Sequence, residues 1–218
     1  MVRPLEGRVG LGGRIGRWFS PTTLVLGGLC FVLPFVTVSC DTPGGFGRAG
    51  VGATTTYNGV ALAVGGTPRV APPDRVRPLP PGVDDRLWVP AATIVLVLIV
   101  AGVVLAVTIS DRRMRRASLA ALAGVAATAL LVGQALAVAE LTVRVGEQVT
   151  QPLPAGKSAR DYVHTCVGFV LALALLLVVS VVNGVGWFRA RPRPALVAAD
   201  ATGTGLDGED TVRQPYST

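Results

Sequence analysis

The run Val89-Pro-Ala-Ala-Thr-Ile-Val-Leu-Val-Leu-Ile-Val-Ala-Gly-Val-Val-Leu-Ala-Val-Thr-Ile-Ser110 contains no charged side chain. A helix rises 1.5 Å per residue, so about 20 such residues cross ~30 Å of hydrocarbon. Three further stretches read the same way: Thr22–Ser39, Ser118–Ala139 and Val163–Trp187. Trp18 precedes the first stretch, Trp88 precedes Val89–Ser110, and Trp187 closes the last. Indole rings favour the headgroup zone, and these three are read as interfacial anchors. The expected fold is an all-α membrane protein, a four-helix transmembrane bundle with one extracytoplasmic loop carrying a short β-hairpin. Of 218 residues, 50% are hydrophobic and 15% charged, which argues against a soluble domain.

The net charge of +7 is unevenly placed. Arg3, Arg8, Arg14, Arg17, Arg112, Arg113, Arg115, Arg116, Arg189, Arg191, Arg193 and Arg213 share one side if the spans alternate, giving that side a net +6 against +1 on the other. Basic loops stay in the cytoplasm, so both termini are expected there, in a cell-membrane protein. The arginines are topology signals facing the lipid bilayer. They lack the aromatic interleaving of a nucleic-acid surface, and no nucleic acid is expected as partner. Residues 1–20 form a basic lead whose glycines disfavour a stable helix. Residues 21–187 form the bundle, and residues 188–218 form a polar, disordered tail.

Pro21 is expected in the first turn of span one, and Pro34 is expected to kink it. Loop 40–88 is the sizeable outer loop. Within it, Thr54–Tyr57, Asn58-Gly59 and Val60–Val64 read as strand, type I′ turn and strand, with a short helix over Val60–Val64 as the competing reading. Pro68–Pro81 holds six prolines and reads as extended chain. Pro90 suits a helix start. Asp111–Ala117 is a short inner link that makes spans two and three an antiparallel hairpin. Span three carries Gly124, Gly133 and Ala137 among other small residues, and these are the expected helix-packing positions at the bundle centre. Residues 140–162 form a second outer loop.

The span interiors hold no Asp, Glu, Lys or Arg, which counts against a coupled transporter. Gln134 and Asn183 lie at different depths, and each is expected to bond a backbone carbonyl or another helix. His164 and Glu140 read as a wet interfacial pair, without the third ligand that a metal or catalytic site needs. Asp84-Asp85 lacks calcium-loop spacing. Gly45-Phe-Gly-Arg-Ala-Gly50 matches a dinucleotide motif in letters only, lacking the strand and helix that motif requires, and reads as a turn segment. No catalytic residue, metal or cofactor is assigned. Cys30 is a buried packer. Cys40 and Cys166 end span one and begin span four on the outer side, and form the candidate disulfide if those spans are neighbours. Thr37-Val-Ser-Cys40 also resembles a lipobox, whose processing would remove residues 1–39.

Leu33-Pro-Phe-Val-Thr-Val-Ser-Cys-Asp41, Tyr57-x-Gly59-Val-x-Leu62 and Gly65-Gly66 resemble small uncharacterised four-span proteins of actinobacterial type. Nineteen arginines against one lysine fit a GC-rich bacterial genome. The resemblance implies an envelope protein with one outer loop and brings no activity or functional residues. The expected function is a non-enzymatic multi-pass membrane protein, an accessory or scaffold subunit of the bacterial cell envelope that meets a protein partner through outer loop 40–88. The alternatives are an oligomeric channel or exporter component for a small molecule, and a lipoprotein-type sensor processed at Cys40. The oligomeric state is not legible.

Overall fold

The computed structural model describes residues 11–39, 41, 45–79, 84–148 and 153–189, with side chains from Phe19 onward. It is mostly helical, with three long apolar helices and a small antiparallel sheet. Among the described residues, the helices long and apolar enough to cross a membrane are α3 (Pro90–Thr108), α4 (Arg112–Gln148) and α5 (Val167–Arg189). The fourth long helix, α1 (Leu11–Leu29), is extended by the 3-10 turn Cys30–Val32, and its described side chains form an apolar segment over Phe19–Val32. The four helices pack in a ring: α1 touches α3 and α5, and α4 touches the same two. Helices one and four of the expected bundle are therefore neighbours.

Span one does not run to Ser39 as a helix. The helical turn stops at Leu33, whose ψ of 161° is extended, and Pro34–Ser39 forms strand β1. Proline disfavours the helical region for the residue before it, so Pro34 ends the helix where a kink was expected. Pro21 lies well inside α1 rather than in its first turn, and α1 starts at Leu11 despite the glycines of the lead. Span four likewise starts late: Val163–Thr165 is strand β4, and α5 begins at Val167.

Helix α4 overruns its apolar stretch at both ends. Arg112–Ala117, expected as a link, is its first turns, and residues 140–148, expected as loop, are its last. The Asp111 carboxylate accepts the Arg113 N–H at 2.8 Å, satisfying a donor at the helix start. Glu140 and Arg144 pair at 2.9 Å across one turn. No proline interrupts α4, so the helix outlasts its apolar stretch, reaching about 55 Å at 1.5 Å per residue. Pro90, by contrast, sits in the first turn of α3 as expected.

The sheet order is β3-β2-β1-β4, all antiparallel, with β2 at Thr54–Asn58 and β3 at Arg69–Ala71. Asn58-Gly59 is not a hairpin turn. Asn58 caps helix α2 (Gly59–Val64), its side chain accepting the Ala61 N–H at 2.6 Å, and Gly65 closes the helix at φ 69°. The helical reading of Val60–Val64 is the right one because consecutive residues Ala61, Leu62 and Ala63 are all buried, and a strand would turn every second one outward.

One apolar core runs from the helix ring into the sheet, including Leu24, Ile99, Leu119 and Leu176 in the ring and Phe31, Phe35, Val36, Val38 and Tyr57 at the sheet end. The outward faces of the ring are equally apolar: Ile94, Val97, Val100, Val104 and Val107 on α3 are all more than half exposed. Residues apolar all round a helix at a protein surface fit a lipid solvent.

Candidate functional site

The sheet, α2 and the intervening loops form a cap on one end of the ring. Strand β1 enters it from α1, strand β4 leaves it into α5, and the last turns of α4 rise beside it. The expected turn Gly45–Gly50 is a tight one, with Phe46 and Ala49 exchanging backbone hydrogen bonds and Gly45 and Gly47 at positive φ. Gly45 needs that freedom, because a β-carbon there would meet the Ala49 carbonyl oxygen.

This turn is fastened from three directions. Gly47 N–H donates to Gln148 Oε1 of α4 at 2.9 Å, and Arg77 N–H donates to the Arg48 carbonyl at 2.9 Å. Arg48 Nε meets Asp85 Oδ2 at 3.0 Å as an ion pair whose N–H is not aligned on the oxygen. The Tyr57 hydroxyl, wholly buried, donates to the Asp85 carbonyl at 2.8 Å. Arg144 of α4 closes the arrangement by donating to the Arg86 carbonyl at 3.0 Å. Val89 N–H then donates to the Leu62 carbonyl at 2.8 Å, joining the start of α3 to α2.

The Arg48–Asp85 pair is asymmetric: the Asp85 side chain is 2% exposed and that of Arg48 45%. Removing arginine strands a buried carboxylate, whereas removing the carboxylate charge frees an arginine that water already reaches. Arg48→Gln is expected to lower stability by about 1–2 kcal/mol and Asp85→Asn by less than about 1 kcal/mol. Thermal unfolding of both variants in the same detergent measures the difference. Equal losses would contradict the asymmetry.

The expected site residues are distributed as follows. Gly133 faces the start of α3, where a β-carbon would lie 2.9 Å from that of Ala91. Gly124 faces Ser180 of α5 at 3.4 Å. Ala137 is buried on the same helix. The small residues of α4 thus serve interfaces with α3 and α5, and the helix is one member of the ring rather than its centre. Trp88 is 62% exposed and donates from Nε1 to the Ala63 carbonyl at 3.1 Å. Trp187, at the opposite end of the ring, meets Phe188 edge-on at 4.9 Å. Trp18 lies in α1, its side chain outside the described residues.

Cys40 also lies outside the described residues. Cys166 carries a free thiol, with Sγ 2.9 Å from Thr37 Oγ1. Its N–H donates to the Phe35 carbonyl, so the register sets it beside the start of β1. Cys30 is buried among apolar neighbours. Gln134 donates to Thr165 Oγ1 at 3.0 Å, and Asn183 donates to Ser20 Oγ at 3.1 Å and to the Val179 carbonyl at 2.8 Å. Asn183 thus bonds a carbonyl and another helix, as expected, whereas Gln134 bonds a side chain of strand β4. Glu140 pairs with Arg144 and not with His164, which is exposed on β4. Asp161 accepts the Ser158 backbone N–H at 2.7 Å and its hydroxyl at 3.0 Å, and these bonds hold its carboxyl below the ordinary range.

Among the described residues no group of three or more His, Cys, Asp or Glu gathers where a metal ion would be held. The class that the fold defines is a mostly helical protein with three helices long and apolar enough to cross a membrane and a small antiparallel sheet. No family model, curated protein or solved structure matches the chain.

Proposed function

We propose that this chain is a four-span, non-enzymatic protein of the bacterial cell membrane, an accessory or scaffold subunit that presents its cap to a protein partner outside the cytoplasm. The observation that carries the proposal is the fastening of the cap. Its parts are tied to one another by Arg48–Asp85, to α4 by Gly47–Gln148 and Arg144–Arg86, and to the start of α3 by Val89–Leu62. A surface held in one shape before contact loses less entropy on association. Val51, Val64 and Val76 stand exposed on it as apolar contact points.

The interior of the ring supports a scaffold over a pore. The space among Leu24, Ile99, Leu119, Ala123 and Leu176 has no room for water. A conduit would have to form between copies. The lipoprotein alternative would remove β1, which pairs with both β2 and β4. Its loss would leave those two strands without their shared neighbour.

The topology follows from arginine. Arg112, Arg113, Arg115 and Arg116 begin α4 at the end where Arg189 closes α5, and Arg116 reaches the Gly186 carbonyl at 3.1 Å. With that end cytoplasmic, both chain termini are cytoplasmic and the cap is outside. In a cysteine-free background, Asp74→Cys is expected to react with an impermeant maleimide in intact cells, and Met114→Cys only after lysis. Both positions are exposed. The reverse labelling would invert the topology. Copurification of a stoichiometric partner, lost when the exposed valines of the cap are changed to Ser, tests the scaffold role.

A further inference from the structure

We propose that the cleft between the end of α1 and the sheet holds the phosphate of an anionic phospholipid from the leaflet on the cap side, its acyl chains lying along α1. The proposal rests on the membrane reading above and adds a site to it. The cleft, about 90 Å³, is lined by Val32, Pro34, Thr56, Asn58, Ala61, Thr67 and Arg69. Its two walls differ in chemistry. Val32, Pro34 and Ala61 form an apolar wall. Thr56, Asn58, Thr67 and Arg69 form a wall of donors, with no carboxylate among them.

Those donors are free to act. The side chains of Arg69, Thr56 and Thr67 make no hydrogen bond or ion pair with other described residues, although the backbones of Thr56 and Arg69 pair where β2 meets β3. Asn58 uses its side-chain oxygen to cap α2, leaving its amide N–H groups to donate outward. A guanidinium, two hydroxyls and an amide around one space, with no acid to neutralise them, match the oxygens of a phosphate.

The apolar wall says which phosphate. Val32 is 62% exposed, and below it Leu29 is 60% and Val25 48% exposed. These three are spaced three and four apart, so they form one continuous stripe along the helix. The stripe begins inside the apolar segment Phe19–Val32 and ends in the cleft. At Leu33 the backbone becomes extended and the chain passes from this stripe into strand β1. The donors and the apolar stripe therefore adjoin, as the phosphate of a lipid adjoins its chains. A free anion would have no use for the stripe.

The experiment is native mass spectrometry of the full-length protein in detergent, titrated with dioleoyl phosphatidylglycerol or with inorganic phosphate. Wild type is expected to retain one phosphatidylglycerol. Arg69→Gln is expected to weaken retention about tenfold, as loss of a charge-assisted bond should. Thr67→Val should weaken it less, and Arg189→Gln, at the other end of the ring, not at all. Arg69 and Thr67 are exposed, so both variants should melt as wild type does without lipid. Retention unchanged in both Arg69→Gln and Thr67→Val would overturn the site. Displacement of the lipid by inorganic phosphate would overturn it in favour of a free-anion site, and a lipid-free dimer would overturn it in favour of a second copy. Carbonate extraction of cells, read separately, tests membrane insertion itself: protein released by carbonate would overturn the membrane reading, whereas loss of lipid binding from protein that stays in the membrane would overturn only the site.

Discussion

Phe35→Ala is expected to destabilise the protein by about 3–5 kcal/mol, the largest effect of any single truncation argued from this structure. Phe35 is 1% exposed and stands where three parts of the chain converge. Its ring centroid lies 5.0 Å from that of Phe31 at the end of α1 and 6.3 Å, edge-on, from that of Phe169 in α5. A β-carbon on Gly59, the first residue of α2, would come within 2.9 Å of the same ring. Truncation to alanine removes the one side chain that all three share. The space cannot close without moving a helix against the sheet, so most of the cavity term persists. Thermal unfolding in detergent reads the effect, with Phe188→Ala as control, since Phe188 is 59% exposed. Equal melting of the two variants would show that the cap and ring are not packed through Phe35.

Gly168→Ala is the second large effect, an expected loss of about 2–3 kcal/mol. Gly168 lies in the first turn of α5, and a β-carbon there would sit 2.6 Å from the Pro34 carbonyl oxygen and 2.9 Å from the Leu33 β-carbon. One of these neighbours is backbone and the other is a single bond from it, so neither can swing away. The start of α5 would have to separate from the start of β1, dragging Phe35 with it. Gly146 in α4 provides the contrast, because nothing lies within 4 Å of a β-carbon built there. Gly146→Ala should gain up to about 1 kcal/mol from helix propensity alone. Opposite signs for the same substitution would isolate the packing term. A neutral Gly168→Ala would mean that α5 and β1 stand further apart than described.

The apolar stretches were legible because lipid-facing helices are hydrophobic on every side, and that signal needs no knowledge of neighbours. Helix α3 follows its stretch to within two residues at each end. The ends of α1 and α4 were not legible in the same way. Hydropathy reports what solvates a residue, not its backbone conformation. Phe35, Val36 and Val38 are apolar because they face the core from a strand, and they read as the last turn of a span. Arg112–Arg116 and Glu140–Gln148 carry charged side chains that interrupt the apolar pattern, and they read as loops although the helix continues.

The cap was the least legible part. Asp85 stood out in the sequence as half of an acidic doublet, but its partner Arg48 is far along the chain, and no local pattern announces a pair of that separation. The same holds for Gln134 with Thr165 and for Asn183 with Ser20. Their need for partners was readable from the cost of burying an amide, and the identity of the partners was not. The cysteines make the point most directly. Sequence placed Cys40 and Cys166 at the outer ends of their spans, and it did not show that strand register sets Cys166 beside Phe35 and Thr37.

Sequence alone determined the quantities that each residue carries by itself: apolar helices of membrane-spanning length, an arginine-rich end, a need for hydrogen-bond partners at Gln134 and Asn183, and a helix start at Pro90. The tertiary structure decided what depends on two distant segments meeting. It turned the end of span one into β1, made Asn58 a helix cap instead of a hairpin turn, joined Arg48 to Asp85, and opened the donor-lined cleft at Arg69. The physical reason is that solvation and local propensity are properties of single residues and their near neighbours, whereas strand pairing and buried ion pairs exist only once the chain has closed on itself.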